Sequence, residues 1–144
     1  MDEIDAKIIE TMVENSRASL SHIGEDLGIS SSTVYKRLKK LEKQGIIKQY
    51  TVLLDNEKVG LKITAFVGIN CGEESKKKIA KKLEDLKEVV EIHEVLEPYD
   101  FLIKVRGPAL VTLKKKVLGK IQGFKGILKM DTMLVVGTVK EKCY

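Results

Sequence analysis

The stretch LSHIGEDLGISSSTVYKRLKKL, residues 20–41, decides the fold of the first half of this chain. Read at helical period, Leu20, Ile23 and Leu27 form one apolar stripe and Val34, Leu38 and Leu41 another, with Gly28 breaking the helix between them. Two helices that cross closely need a small residue at the crossing and a glycine able to take positive φ in the turn. Gly24 and Gly28 stand at that spacing, and Ile23, Leu27, Ile29 and Val34 lock the pair. Ser30 is placed to cap a helix predicted from Ser31 to Gln44, and Gly45 to end it in the left-handed conformation. The glycine pair alone would also fit an ordinary helical hairpin, so the outward face has to decide. With Val34 at zero and about 100° per residue, Leu38 and Leu41 fall within about 40° of it, and Ser32, Lys36, Lys39 and Lys43 between about 140° and 200°. Between Lys36 and Lys48, Glu42 is the only acid. A solvated helix face usually mixes signs. Hydroxyls in the first turns and cations in the later ones suit a DNA major groove, with polar groups at base edges and lysines on phosphates.

Working outward, Asp2 to Glu14 repeats Ile4, Ile8, Ile9, Met12 and Val13 at helical spacing, with acids in the first turn where the helix dipole favours them. After Gly45 the period changes. Ile47 to Leu54 reads as a strand or connecting arm, followed by a turn at Asp55-Asn56 that ends near Gly60. The remainder reads strand (Lys62 to Cys71), helix (Ser75 to Leu86), strand (Val89 to Leu96), strand (Phe101 to Arg106), helix (from Pro108, with Leu110, Leu113, Val117 and Ile121 inward) and strand (Gly126 to Val139). The expected class is α+β: a helix-turn-helix domain over residues 1–48, an arm over 49–60, and a ferredoxin-like βαββαβ domain over 61–144 with both helices on one sheet face. The other face, expected to present Phe66, Val89, Val95, Leu102, Leu134 and Val136, would be a liability in a monomer, and a homodimer packed sheet on sheet is the natural remedy.

The chain has 144 residues, 26 Lys+Arg against 21 Asp+Glu and 5% aromatics without Trp, so its core must be aliphatic. Residues 1–55 hold eight cations and nine acids, net −1, and residues 56–144 hold eighteen and twelve, net +6. The summed charge therefore points away from the half that carries the basic helix. No apolar stretch approaches the roughly 18 residues of a membrane span, and a soluble, cytoplasmic protein without a membrane partner is expected. Cys71 and Cys143 have no second pair or His spacing for a metal site and read as reduced thiols.

The run GISSSTVYKRLKKLEKQGIIKQYTVLLD, preceded by DEIDAKIIETMVENSRASLSHIGEDLGIS, resembles the N-terminal half of the Lrp/AsnC (feast/famine) transcription regulators, of archaeal type, and residues 61–139 resemble that family's ligand-sensing, oligomerising domain. The resemblance implies a winged helix-turn-helix, an arm pairing between subunits, a homodimer or higher even-numbered oligomer, double-stranded promoter DNA as partner, and an amino-acid-like effector. The recognition helix it implies falls on Ser31 to Lys43. Ser31 opens that helix, Ser32, Thr33, Tyr35 and Lys36 are the candidates for base-edge reach, and Arg37, Lys39 and Lys40 for phosphate contacts. The effector turn it implies, usually Gly, any residue, aromatic, Asp, falls on Glu97, Pro98, Tyr99 and Asp100. Glu97 replaces the glycine, and a carboxylate there disfavours a ligand carboxylate in the usual pose. An altered or cationic effector, no effector, and an amino acid remain the alternatives.

No Ser-His-Asp set, phosphate-binding glycine loop or metal cluster stands in the sequence, so no cofactor and no enzyme activity are expected. A siroheme-type tetrapyrrole decarboxylase of similar architecture is the rival reading, and it would need more than the two His and three Arg present. An effector-sensing interaction protein without DNA binding is a third. His22 reads as a surface histidine before a phosphate contact. The triplets Lys76-Lys77-Lys78 and Lys114-Lys115-Lys116 read as solvated helix faces, with DNA wrapped around an oligomer as the alternative.

Overall fold

The structure, a computed structural model, describes residues 1–141, so the Cys143 reading lies outside the described residues. The described residues form two compact units, one of Met1–Leu53 with Glu141 and one of Leu54–Lys140.

The first unit consists of α1 (Glu3–Glu14), α2 (Leu20–Leu27) and α3 (Ser31–Lys43). Each begins on a side chain that satisfies a free backbone amide. The Asp2 carboxylate accepts from the Asp5 amide at 2.8 Å while the Asp2 amide donates back to Asp5 at 3.2 Å, a reciprocal cap. Ser19 accepts from the His22 amide at 3.1 Å, and Ser30 from the Thr33 amide at 3.2 Å. Gly28 and Gly45 close α2 and α3 at φ 65° and 70°. Ile8, Ile23, Val34 and Leu38 make the core, with Ile4, Met12, Leu20, Leu27 and Ile29 packed around them. Val13 departs from the expected stripe and is exposed. Gly24 is buried at the crossing, where an added Cβ would lie 2.5 Å from the Ile29 carbonyl oxygen and 3.3 Å from the Ser31 nitrogen. Residues 48–55 form no strand, because a lone extended segment has no ladder partner within one chain. Tyr50, Val52 and Leu53 are exposed along it.

The second unit contains β1 (Ile63–Cys71), α4 (Lys76–Glu84), β2 (Val89–Glu94), β3 (Phe101–Gly107), α5 (residues 110–122) and β4 (Ile127–Leu134). The sheet is antiparallel throughout, in the order β2-β3-β1-β4. Ala65, Val67 and Ile69 pair with Val105, Ile103 and Phe101, and all six point into one core with Ile79 and Leu83 of α4 and Leu113, Val117 and Ile121 of α5. Both helices therefore cover the same sheet face, as the split βαβ pattern requires. α5 is not uniform: Lys114–Leu118 is a π-turn between α-helical Leu110–Leu113 and Gly119–Gln122. A wider turn keeps Leu113, Val117 and Ile121, spaced by four, aligned over the core. β2 ends at Glu94, short of Leu96: the Val95 amide still bonds the Asp100 carbonyl at 3.1 Å in register with the Glu94–Phe101 pair, and the chain then turns through residues 96–99. β4 stops at Leu134, far short of Val139, because its partner β1 begins at Ile63 and the last cross-strand bond is Val135 to Thr64 at 2.9 Å.

The uncovered face differs from the expected one. Phe66 and Leu102 lie on it, opposite Met133 and His93 respectively. Val89 pairs with the buried Val105 and packs inward, since a register shift between Val89 and Glu91 reverses the alternation. Leu134 pairs with Ala65 and so shares the helix-side register, and Val95 and Val136 fall beyond the strand ends. Lys104, whose Nζ is 3.2 Å from Glu91 and 5.8 Å from the centre of the Phe66 ring, makes this face a mixed one.

Candidate nucleic-acid interface and the β2–β3 turn

α3 presents one face to the core through Val34, Leu38 and Leu41 and the opposite face to solvent, where Ser31, Ser32, Tyr35, Lys36, Lys39 and Lys40 are exposed and Thr33 is half-buried. The hydroxyls of Ser32 and Thr33 each meet Ser30 Oγ, at 2.9 and 2.8 Å, so the first turn is a pre-formed hydroxyl cluster. Lys36, Lys40 and Lys43 make no ion pair among the described residues. Lys39 is engaged: its Nζ lies 2.6 Å from Glu42 and 5.8 Å from the Tyr35 ring centre. Glu42 also accepts from the Tyr50 hydroxyl at 2.9 Å, which fastens the start of the arm to the last turn of α3. Lys39 and then Tyr50 hold the Glu42 carboxyl below its ordinary pKa, and Glu42 raises that of Lys39.

Arg37 departs from its expected role. Its Nη1 donates at 2.7 Å to both Asp2 Oδ2 and Asp5 Oδ1, and Asp5 is only 2% exposed. A guanidinium consumed by two carboxylates at the start of α1 is a structural tie, with little left for a phosphate. The sequence signal was present, acids opening α1 and an arginine at the edge of the α3 core stripe, but nothing local joined them. His22 lies 3.5 Å from Asp26 on the exposed side of α2, which favours the surface-histidine reading.

The tie has a pH signature. The Arg37 guanidinium, working against burial, lowers the Asp5 carboxyl pKa, and the Asp5 amide, followed by Arg37, lowers that of Asp2. A carboxyl depressed in the folded state stabilises it fully above its unfolded value of about 3.9, and the contribution is lost as pH falls through the lower folded value. The thermal stability of the first unit should therefore fall below about pH 4, and Asp5→Asn should flatten that dependence. The wild type should exceed the variant in melting temperature at neutral pH and converge on it in acid. Parallel curves for the two proteins would remove Asp5 from the acid transition.

In the β2–β3 turn the three effector candidates have different surroundings. Glu97 is exposed and takes φ 44°, the left-handed region where a glycine is at ease, beside a cis Glu97-Pro98 bond. Tyr99 lays its ring against Gly68, where a Cβ would come within 2.5 Å of the ring carbons. Asp100 is spent on the fold: Oδ2 accepts from the Cys71 amide at 2.8 Å and Oδ1 lies 3.0 Å from Lys76 Nζ. The Cys71 amide, then Lys76, lowers the Asp100 pKa, while Glu73 and Asp100 raise that of Lys76. Asn70 completes the anchorage by donating to the Pro98 carbonyl at 2.9 Å. Asp131, paired with Lys129 at 2.8 Å, is held low by that lysine and further by Tyr99, and the sequence singled out neither Asp131 nor Lys129. Among the described residues no group of three or more His, Cys, Asp or Glu could hold a metal, and no helix is long and apolar enough to cross a membrane.

Residues 1–48 match the family described as winged helix-turn-helix DNA-binding, and residues 64–143 match the Lrp/AsnC ligand binding domain. The chain is 32% identical over 143 residues to the HTH-type transcriptional regulator FL11 of Pyrococcus horikoshii, covering 98% of this chain and 93% of that protein. E. coli AsnC superposes with a TM-score of 0.92 at 25% identity, over 100% of this chain and 97% of that one. A transcriptional regulator of Neisseria meningitidis, solved as an L-Met complex, does so with the same score and identity over 99% and 94%. With both halves matched in order and relatives aligned along nearly the full length, the chain belongs to the Lrp/AsnC family of HTH-type transcriptional regulators.

Proposed function

We propose that this protein regulates transcription by placing α3 in the major groove of promoter DNA, in the cytoplasm, as a homodimer or higher even-numbered oligomer. The observation that carries the reading is the exposed face of α3, on which a hydroxyl cluster at Ser30, Ser32 and Thr33 is followed by Lys36, Lys40 and Lys43, which have no ion partner among the described residues. Hydroxyls can reach base edges from the first turn while the lysines sit on phosphates, and Lys39, balanced by Glu42, is the weaker contributor. Two such helices about one DNA turn apart would read a pseudo-palindrome and alter polymerase access or recruitment by occupancy. Arg37 belongs to the scaffold in this reading, and Ser31, Tyr35 and Lys36 to the reading surface.

Modulation by an amino-acid-like effector is supported by the ligand-binding domain and by the L-Met complex of the Neisseria relative. Here the effector would meet Glu97 and Tyr99, with Asp100 holding the turn. The solvent-facing carboxylate of Glu97 favours a ligand that brings a cationic group. An enzyme reading has no observation in its favour, since the two histidines pair with Asp26 and Glu91 on exposed surfaces and Arg37 is already tied.

The test is retardation of a duplex from the protein's own promoter by the full chain over a salt series. Affinity should fall steeply with salt, by roughly 0.9 log units per log unit of salt for each phosphate contacted. Absence of any retardation at low salt would sink the proposal and leave an interaction protein as the reading.

A further inference from the structure

α3 uses few of the cations that this chain carries. From Phe101 to Met130 the sequence holds eight Lys or Arg and not one acid, and α4 holds five lysines before its single Glu84. In the second unit these two runs meet. α4 and α5 cover the same side of the sheet. The Lys82 ammonium of α4 lies 4.9 Å from the centre of the Phe124 ring just beyond α5, and the Gly72 amide before α4 donates to the Gly126 carbonyl at 2.9 Å. The two lysine runs are thus parts of a single helical layer.

The side chains of that layer are set apart by how many unpaired cations stand together, as on α3, and not by any one of them being unpaired. Lys39, Lys58, Lys104 and Lys129 each pair with an acid at 2.6 to 3.2 Å. On α4, Lys77, Lys78, Lys81 and Lys82 are exposed and make no ion pair among the described residues; Lys76 alone is neutralised, by Glu73 and Asp100. On α5, Lys114, Lys115, Lys116 and Lys120 are exposed and equally unpaired among the described residues. The nearby acids, Glu73, Glu74, Glu84 and Asp85, sit at the two ends of α4, and α5 has none. Lys77 and Lys81, Lys78 and Lys82, and Lys116 and Lys120 are each four apart, where like charges oppose helix formation and a glutamate would favour it. A surface built for solubility alone would interleave signs, as α1 does with Glu3, Asp5, Lys7 and Glu10.

We propose that the lysine layer of α4 and α5 is a second nucleic-acid surface, which takes the phosphate backbone of double-stranded DNA without regard to sequence. The layer has no exposed hydroxyl cluster of the kind that opens α3, so it has cations for phosphates and nothing matched to base edges. Ammonium groups about 6 Å apart along a helix face meet a polyanion that carries one charge per about 1.7 Å of axis, and release its condensed counterions. Duplex DNA is the polyanion chosen because it is the partner proposed for α3, and the inference rests on that reading. A duplex longer than the operator offers phosphates to this layer in addition to those taken by α3.

The experiment compares the full chain on an operator-length duplex and on one several times longer, across a salt series. The quadruple variant Lys77→Gln, Lys81→Gln, Lys116→Gln, Lys120→Gln should keep wild-type affinity for the short duplex. On the long duplex it should lose at least roughly tenfold and about three units of salt slope for each protomer whose layer touches the duplex. The matching quadruple Arg variant, which keeps the charge, should bind as wild type. Unchanged long-duplex affinity and slope in the Gln variant would overturn the proposal, as would equal loss in the Arg variant, or tighter binding of double-stranded RNA than of DNA at equal length. Lys36→Glu run alongside separates the two readings: if it leaves the short duplex bound while the Gln variant loses the long one, the α3 assignment fails and the lysine layer stands.

Discussion

Lys36→Glu is expected to reduce affinity for the protein's own promoter by roughly 100-fold or more at moderate salt, with the melting temperature of the first unit unchanged within a degree or two. Lys36 stands about 200° around α3 from Val34 and is exposed without an ion partner among the described residues, so its reversal removes no contact from the fold. On DNA the same change replaces an attraction by a repulsion, and in a dimer it does so twice. The salt slope should fall by roughly two units for the lost contacts, and further from the repulsion. The comparison with Arg37 sharpens the result. Arg37→Gln should weaken binding chiefly by destabilising the unit, because it leaves the Asp5 charge, 2% exposed, without its cation and removes the polar tie between α1 and α3. A Lys36→Glu protein that melts normally and still binds its promoter at wild-type strength would dismiss α3 as the recognition helix.

Gly24→Val is the substitution expected to damage the fold most. The Cβ alone would sit 2.5 Å from the Ile29 carbonyl oxygen and 3.3 Å from the Ser31 nitrogen, and both neighbours are backbone. The turn between α2 and α3 would have to open, separating Ile23 from Val34 and lifting Ser30 away from the start of α3. The loss should be about 3 kcal/mol or more, which for a unit this small means a fall in melting temperature on the order of 15 °C. Gly28→Ala gives the comparison: nothing lies within 4 Å of its Cβ, so only the left-handed φ of 65° resists, at about 1–2 kcal/mol. Calorimetry on the full chain reads both. A Gly24→Val protein as stable as Gly28→Ala would refute the close crossing.

What could be read in advance follows from which partner each residue needs. Val34, Leu38 and Leu41 are all buried because the stripe of a helix is set by its own period, and that period is written in adjacent residues. Arg37 eluded the same reading because its partners, Asp2 and Asp5, are thirty-five and thirty-two positions away on another helix. The parity of β2 was misread from Val89 because the irregularity between Val89 and Glu91 is visible only in the pairing with β3. The end of β4 is imposed by where β1 begins, which no feature of residues 135–139 records. At the β2–β3 turn, Glu97, Tyr99 and Asp100 were found by resemblance, and the division of labour among them was not. The turn is held by Asp100 through an amide and a lysine that lie upstream on β1 and α4.

The wide turn in α5 has a consequence for how such a chain can change length. Leu113, Val117 and Ile121 run at four residues per turn where a regular helix needs about 3.6, so this stretch stores close to one spare residue. Losing a single lysine from Lys114-Lys115-Lys116 would leave seven residues over the same two turns, close to ordinary helical spacing, with the same three side chains over the sheet. Loss of one lysine at this place therefore alters the surface charge by one unit and leaves the interior untouched.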